Sequence, residues 1–221
     1  MAILAKPSKQ RSALRQASLV EAALRLAAQR SPADITTGDL ANAVGITQGA
    51  VFRHFASKEA IWLAVLDWAT ETLMARLQAA AIAAASADAD LGKTPPPLAA
   101  LRAVFMAHVD FVVAHPGVPR VIFQELQKPG DTELKARVRA LMQQYRQLTL
   151  QLLQQAHTAQ AIAPDTSLPA AAVLFIGSVQ GLVMQSLMSG DVTGMSAQAP
   201  GVFAIYQRGL LACPSHPERN S

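Results

Sequence analysis

The chain of 221 residues is 51% hydrophobic but only 5% aromatic, so alanine and leucine carry its apolar content, a composition that packs helices rather than sheets. Ordinary glycine and proline usage excludes a collagen-like or globally disordered polymer, and the single cysteine, Cys213, excludes a disulfide framework or a cysteine-based zinc finger and suits a reducing cytoplasm. The net charge of +4 is concentrated: residues 1–60 hold eight basic against four acidic side chains and the remainder is balanced, which points to a polyanion at the N-terminal end.

Residues 1–9, with Lys6 and Lys9, form a flexible basic arm, and the opening has no continuous apolar stretch of signal-peptide form. A first helix runs from Gln10 to Arg30, because Leu19, Ala22, Ala23, Leu26 and Ala27 recur at helical spacing. Ser31-Pro32 prevents its continuation. A second, short helix starts at Thr36 or Thr37, where Thr36 and Asp39 have capping-box spacing, and Gly45 breaks it. Thr47 caps a third short helix ending near Phe55. Ser57 caps a long fourth, with Trp62, Leu66, Ala69, Leu73 and Leu77 on one stripe. Asp88 to Pro97 is a linker. Further helices are expected over about 98–115, 118–128, 132–158, 168–189 and 199–212, before a flexible tail at 214–221.

Residues 36–55 therefore form helix, glycine turn, helix, the arrangement in which the second helix enters the major groove of DNA. Thr47, Gln48, Gly49 and Ala50 open that helix and face base edges. Gln48 is the long amide among them, able to pair bidentately with adenine. Thr37, Arg53 and His54 are placed to reach phosphates, and Thr36 and Phe52 complete the candidate set on this segment. Lys58, in the first turn of the fourth helix, opposes the helix dipole, a small cost that makes sense if a phosphate also sits there.

Residues 19–66 resemble the N-terminal domain of the TetR (tetracycline-repressor-type) family of bacterial transcriptional regulators. The likeness rests on Leu19-Val20-Glu21-Ala22-Ala23, Thr36 with Leu40-Ala41, and the run from Val44-Gly45-Ile46-Thr47-Gln48 through His54-Phe55-Ala56-Ser57-Lys58-Glu59. The resemblance implies a homodimer on a palindromic operator, usually a repressor released when a small molecule binds the C-terminal domain. Phe52 departs from the family's common tyrosine, Gln48 from a frequent lysine, Ala27 from a larger aromatic and Ser31 from glycine.

The expected architecture is all-α, of about nine helices. Residues 1–60 form a three-helix DNA-binding domain and residues 61–213 a helical ligand-binding and dimerisation domain. Ligand-pocket candidates are Phe105, His108, Phe111, Glu125, Met142, Tyr145, Phe175, Gln180 and Met184, an Ala- and Leu-walled set that suits an apolar or amphipathic effector. His108 and His115 share a helical face, but a metal site needs a third ligand, and neither metal nor cofactor is expected. Between Asp165 and Arg208 the sole charge is Asp191, so the last two helices are expected to bury against a second copy through Phe175, Gly177, Gly181, Met184, Phe203 and Tyr206. The run from Ala170 to Met184 falls short of a membrane span, and no membrane partner is expected. Walker, dinucleotide-binding, zincin and nucleophile-elbow motifs are absent, which argues against an enzyme. The competing reading is a helical ligand-binding or interaction protein that does not bind DNA; the intact Thr47–Lys58 stretch favours the cytoplasmic DNA-binding regulator.

Overall fold

A computed structural model describes residues 7–89 and 98–211. Among them are nine α-helices: α1 (Pro7–Gln29), α2 (Thr37–Ala43), α3 (Gln48–Val51), α4 (Lys58–Ala89), α5 (Ala99–Ala114), α6 (Gly117–Gln127), α7 (Glu133–Thr158), α8 (Leu168–Ser189) and α9 (Gly194–Leu210). A 3-10 turn, Pro32–Asp34, joins α1 to α2. Most of the expected arm and linker, and the whole tail, lie outside the described residues. α1 begins at Pro7 rather than Gln10, in keeping with proline's preference for the first helical position. α9 starts well before the expected 199 and passes through Pro200. That proline leaves only the carbonyl of exposed Ser196 without its helical partner, a group that water can serve.

The helices divide into two compact units. One takes the chain up to Thr72 together with Ala114–Met142; the other takes Leu73–Val113 and the chain from Gln143. α6 and the start of α7 thus belong with the N-terminal helices, whereas the sequence suggests a boundary at 60 and 61.

In the first unit, Leu19, Ala22, Ala23 and Ala27 of α1 are fully buried, with Ile35, Leu40, Val51, Ile61 and Val65. Thr36 and Asp39 form the capping box: the Thr36 amide donates to Asp39 Oδ2 at 2.7 Å and the Asp39 amide to Thr36 Oγ1 at 3.1 Å. The Thr36 amide and hydroxyl, aided by Arg30 at 2.9 Å, hold the Asp39 carboxyl down at about 2. Gly45 takes φ +68°, a left-handed conformation that lets the chain leave α2 and return at Thr47, whose side chain accepts from the Ala50 amide and caps α3. α6 lies hard against α1: a Cβ on Gly117 would stand 2.3 Å from the Leu24 carbonyl oxygen.

The second unit is built round aromatic rings. Phe105, Tyr145, Phe175, Phe203 and Tyr206 are all buried, with Phe105–Phe175 and Phe175–Tyr206 centroids 5.4 and 5.5 Å apart, edge to face. Tyr206 Oη donates to the Ala171 carbonyl at 3.1 Å, fixing α9 on α8. His108 Nδ1 lies 3.0 Å from Tyr145 Oη, and burial pushes the imidazole pKa down to about 4. The folded protein therefore refuses a proton that the unfolded chain accepts below about 6.5. Stability should fall by about 1.4 kcal/mol per pH unit from pH 6.5 down to about 4 through this group, and its contribution should then level off. Urea titrations across that range should show a shallower fall for His108→Gln, which can still bond Tyr145 but does not titrate; parallel curves would show that His108 is not the group responsible.

Candidate nucleic-acid interface

α3 is one turn long and stands on a single buried side chain, Val51. Everything else on it turns outward: Thr47, Gln48 and Gly49 are exposed, Ala50 is half-buried, and Phe52, just beyond, is 49% exposed. A half-exposed phenylalanine next to a polar helix start presents apolar surface to solvent. Gln48 Nε2 donates to Thr37 Oγ1 at 2.8 Å, which ties the base-reading candidate to the start of α2 and orders its amide. One amide N–H is used in this way; the other, with Oε1, keeps the donor–acceptor pair that adenine recognition needs.

The phosphate candidates are held from beneath. His54 Nδ1 lies 3.2 Å from Ser12 Oγ, and its backbone carbonyl accepts from Gln16 Nε2 at 2.9 Å, so two α1 side chains one turn apart fix the residue that follows α3. Ser57 Oγ accepts from the Ala60 amide at 3.1 Å and starts α4. Lys58 Nζ donates to the Ala33 carbonyl at 2.9 Å. Arg53 is exposed. The Thr36 hydroxyl donates to Asp39 at 2.7 Å and serves the fold of α2. Sequence reasoning passed over Ser12, Gln16 and Gln124, which support the interface from α1 and α6. Nothing in their spacing distinguishes them from ordinary helix-surface residues.

With that geometry in place, sequence comparison decides the family. The profile described as "Bacterial regulatory proteins, tetR family" matches residues 19–65, and that described as "Tetracyclin repressor-like, C-terminal domain" matches residues 125–199. The chain belongs to the tetR family. It is a DNA-binding transcriptional regulator. It is 25% identical over 177 residues to the nucleoid occlusion factor SlmA of Marinobacter nauticus, covering 79% of this chain and 85% of that protein. It is 22% identical over 217 residues to the HTH-type transcriptional regulator AcrR of Shigella flexneri, covering 96% of each. In fold it is similar to the fatty acid degradation regulator FadR of Bacillus halodurans, with a TM-score of 0.74 at 16% identity over 89% of this chain and 96% of that one.

The candidate pocket residues of this tetR-family chain are divided between the two compact units. Phe105, His108, Tyr145 and Phe175 are buried core of the second unit in ring-to-ring contact, and Phe111 is buried with the Arg76 guanidinium 5.6 Å from its ring centroid. Gln180 and Met184 of α8 are exposed. Met142 and Glu125 belong to the first unit. Glu125 is 3% exposed, with Lys128 Nζ at 2.6 Å and the Thr132 hydroxyl at 2.5 Å. These donors outweigh its burial and hold its pKa below the usual carboxylate value. It borders a cleft of about 420 Å³ that Trp62, Val121, Gln124, Leu134 and Lys58 also line.

The expected self-association residues also divide. Phe175, Phe203 and Tyr206 point into their own protomer, at 0, 2 and 4% exposure, because they build its aromatic core. Gly177, Gly181 and Met184 do lie on the outer face of α8, in a stripe with Val173, Leu174 and Met188; exposed Ile205 lies on α9. Val173, Leu174, Met188 and Ile205 were missed from the sequence, since in two helices whose one charged residue is Arg208 the buried and outward faces look alike. α8 has the length and mean hydropathy of a membrane span, but Phe175, Val179, Leu182 and Val183 on its other face are buried in the protein.

Proposed function

We propose that the chain is a homodimeric repressor that places α3 of each protomer in one of two successive major grooves of a palindromic operator, and that a small apolar or amphipathic molecule releases it. The observation that carries this reading is the outward presentation of Thr47, Gln48, Gly49 and Phe52 on a helix whose one inward side chain is Val51. Gln48 reads an adenine, Phe52 packs on a thymine methyl, and Thr37, Arg53, His54 and Lys58 contact phosphates. The exposed apolar stripes on α8 and α9 pair with those of a second copy.

Release operates through α4, which supplies Lys58–Thr72 to one unit and Leu73–Ala89 to the other as one continuous helix. An effector that binds one arrangement of the dimer better than the DNA-bound arrangement needs a coupling of only about 1–3 kcal/mol for 5- to 150-fold control.

Selection of bound fragments from a random pool of duplex DNA tests the reading. The expected product is a two-fold symmetric site with half-sites one helical turn, about 34–36 Å, or a multiple of it apart. Recovery of no sequence, at low salt and with folded protein, would leave the alternative of a helical binding protein without DNA recognition. On the selected site, Lys58→Ala should weaken binding and lower the slope of log affinity against log salt by about one unit. Gln48→Ala should instead relax preference at one base position.

A further inference from the structure

The 3-10 turn between α1 and α2 is held at one residue by two side chains from distant parts of the sequence. Gln124 Oε1, on α6, accepts from the Ala33 amide at 3.0 Å and lies 3.4 Å from the Ser31 hydroxyl. Lys58 Nζ, at the start of α4, donates to the carbonyl of the same Ala33 at 2.9 Å. The turn is three residues long and Ala33 is exposed; within it the Asp34 amide donates to the Ser31 carbonyl at 3.0 Å. Ser31 Oγ is a further acceptor for the Ala33 amide, at 3.3 Å, but it sits on the turn itself and cannot anchor it to anything else.

We infer that Gln124 is a positioning residue for DNA binding, acting on the phosphate contact of Lys58 through Ala33 and the turn that carries it. The inference rests on the reading of Lys58 as a phosphate contact and names what aims it. A lysine ammonium has three donors on a flexible four-carbon stem. Giving one donor to a fixed carbonyl orders the stem before DNA arrives and leaves two donors for phosphate oxygens, so less side-chain entropy is lost on binding. The carbonyl is a useful anchor only while the turn that carries it keeps its place. Gln124 supplies that restraint from outside the helix-turn-helix. The arrangement also gives α6 a direct hold on the strength of the electrostatic grip.

Gln124→Met keeps the length and volume of the side chain and removes the acceptor oxygen; Gln124→Ala is a second variant should methionine repack. Binding to a mixed-sequence duplex is measured against salt for both variants, for Lys58→Ala and for the double variants, with melting temperature as a check on the fold. Gln124→Met should bind about 3- to 10-fold more weakly, the range expected when a contact loses its pre-ordering, with a shallower salt slope and an unaltered melting temperature. In the Lys58→Ala background it should have no further effect. Unchanged or tighter binding by both Gln124 variants would overturn the inference, as would a loss that persists in full without Lys58. An unaltered salt slope in Lys58→Ala would overturn the phosphate reading itself, and the inference with it.

Discussion

Gly117→Ala should lower the melting temperature by about 6–12 °C, the shift that corresponds to about 3 kcal/mol in a chain of this size. The added methyl has nowhere to go. It would stand 2.3 Å from the Leu24 carbonyl oxygen, 3.1 Å from the Ala28 amide nitrogen and 3.2 Å from Ala27 Cβ. The two nearest atoms are backbone of α1, a helix that Leu19, Ala22 and Ala23 lock into the core, so no side chain can swing aside. Ordinary glycine-to-alanine exchange in a helix is stabilising by up to about 1 kcal/mol, which makes the expected sign itself diagnostic. α6 must retreat from α1, and Gln124 is carried with it, so operator affinity should fall alongside stability. Thermal unfolding monitored by circular dichroism gives the first quantity and a band-shift titration the second. A variant as stable as the parent would mean that α6 does not approach α1 at Gly117 as closely as described.

Gly117 also illustrates what the sequence hides. Pro116-Gly117 marks a break between helices, and the break is there, but the reason glycine is needed is a long-range contact with Leu24 that no local pattern encodes. The N-terminal head is legible because its determinants are local: the Thr36–Asp39 box, the left-handed Gly45 and the Thr47 cap each act within four residues. Seven of the nine helices begin within a residue or two of the spacing-based expectation for the same reason. The support of the site is another matter. Ser12 and Gln16 reach His54 across about 40 residues, and Gln124 reaches Ala33 across 91. The C-terminal helices fail in a third way: where both faces of α8 are apolar, the period of hydrophobicity vanishes, and Phe175 and Leu174 are neighbours in sequence that face opposite ways.

That opposition sets the largest effect expected on function. Leu174 is 58% exposed and Val173 61%, while Phe175 between α8 and α9 is fully buried, so Leu174→Glu alters the outer stripe and leaves the protomer's core intact. In a symmetric dimer the same residue enters from both copies, so the interface would have to take in two carboxylates. A buried unpaired charge costs several kcal/mol, and a like-charged neighbour adds to it. Micromolar protein should therefore sediment as a folded monomer with unchanged helical content. A monomer holds only one half-site, and the second contact no longer benefits from the high effective concentration that linkage provides, so affinity for the palindrome should fall by about 100-fold or more. Affinity for an isolated half-site should hardly change, which separates loss of the dimer from damage to α3. A Leu174→Glu protein that remains dimeric would place the self-association surface elsewhere; one that is monomeric yet binds the palindrome as the parent does would remove the dimer from the mechanism.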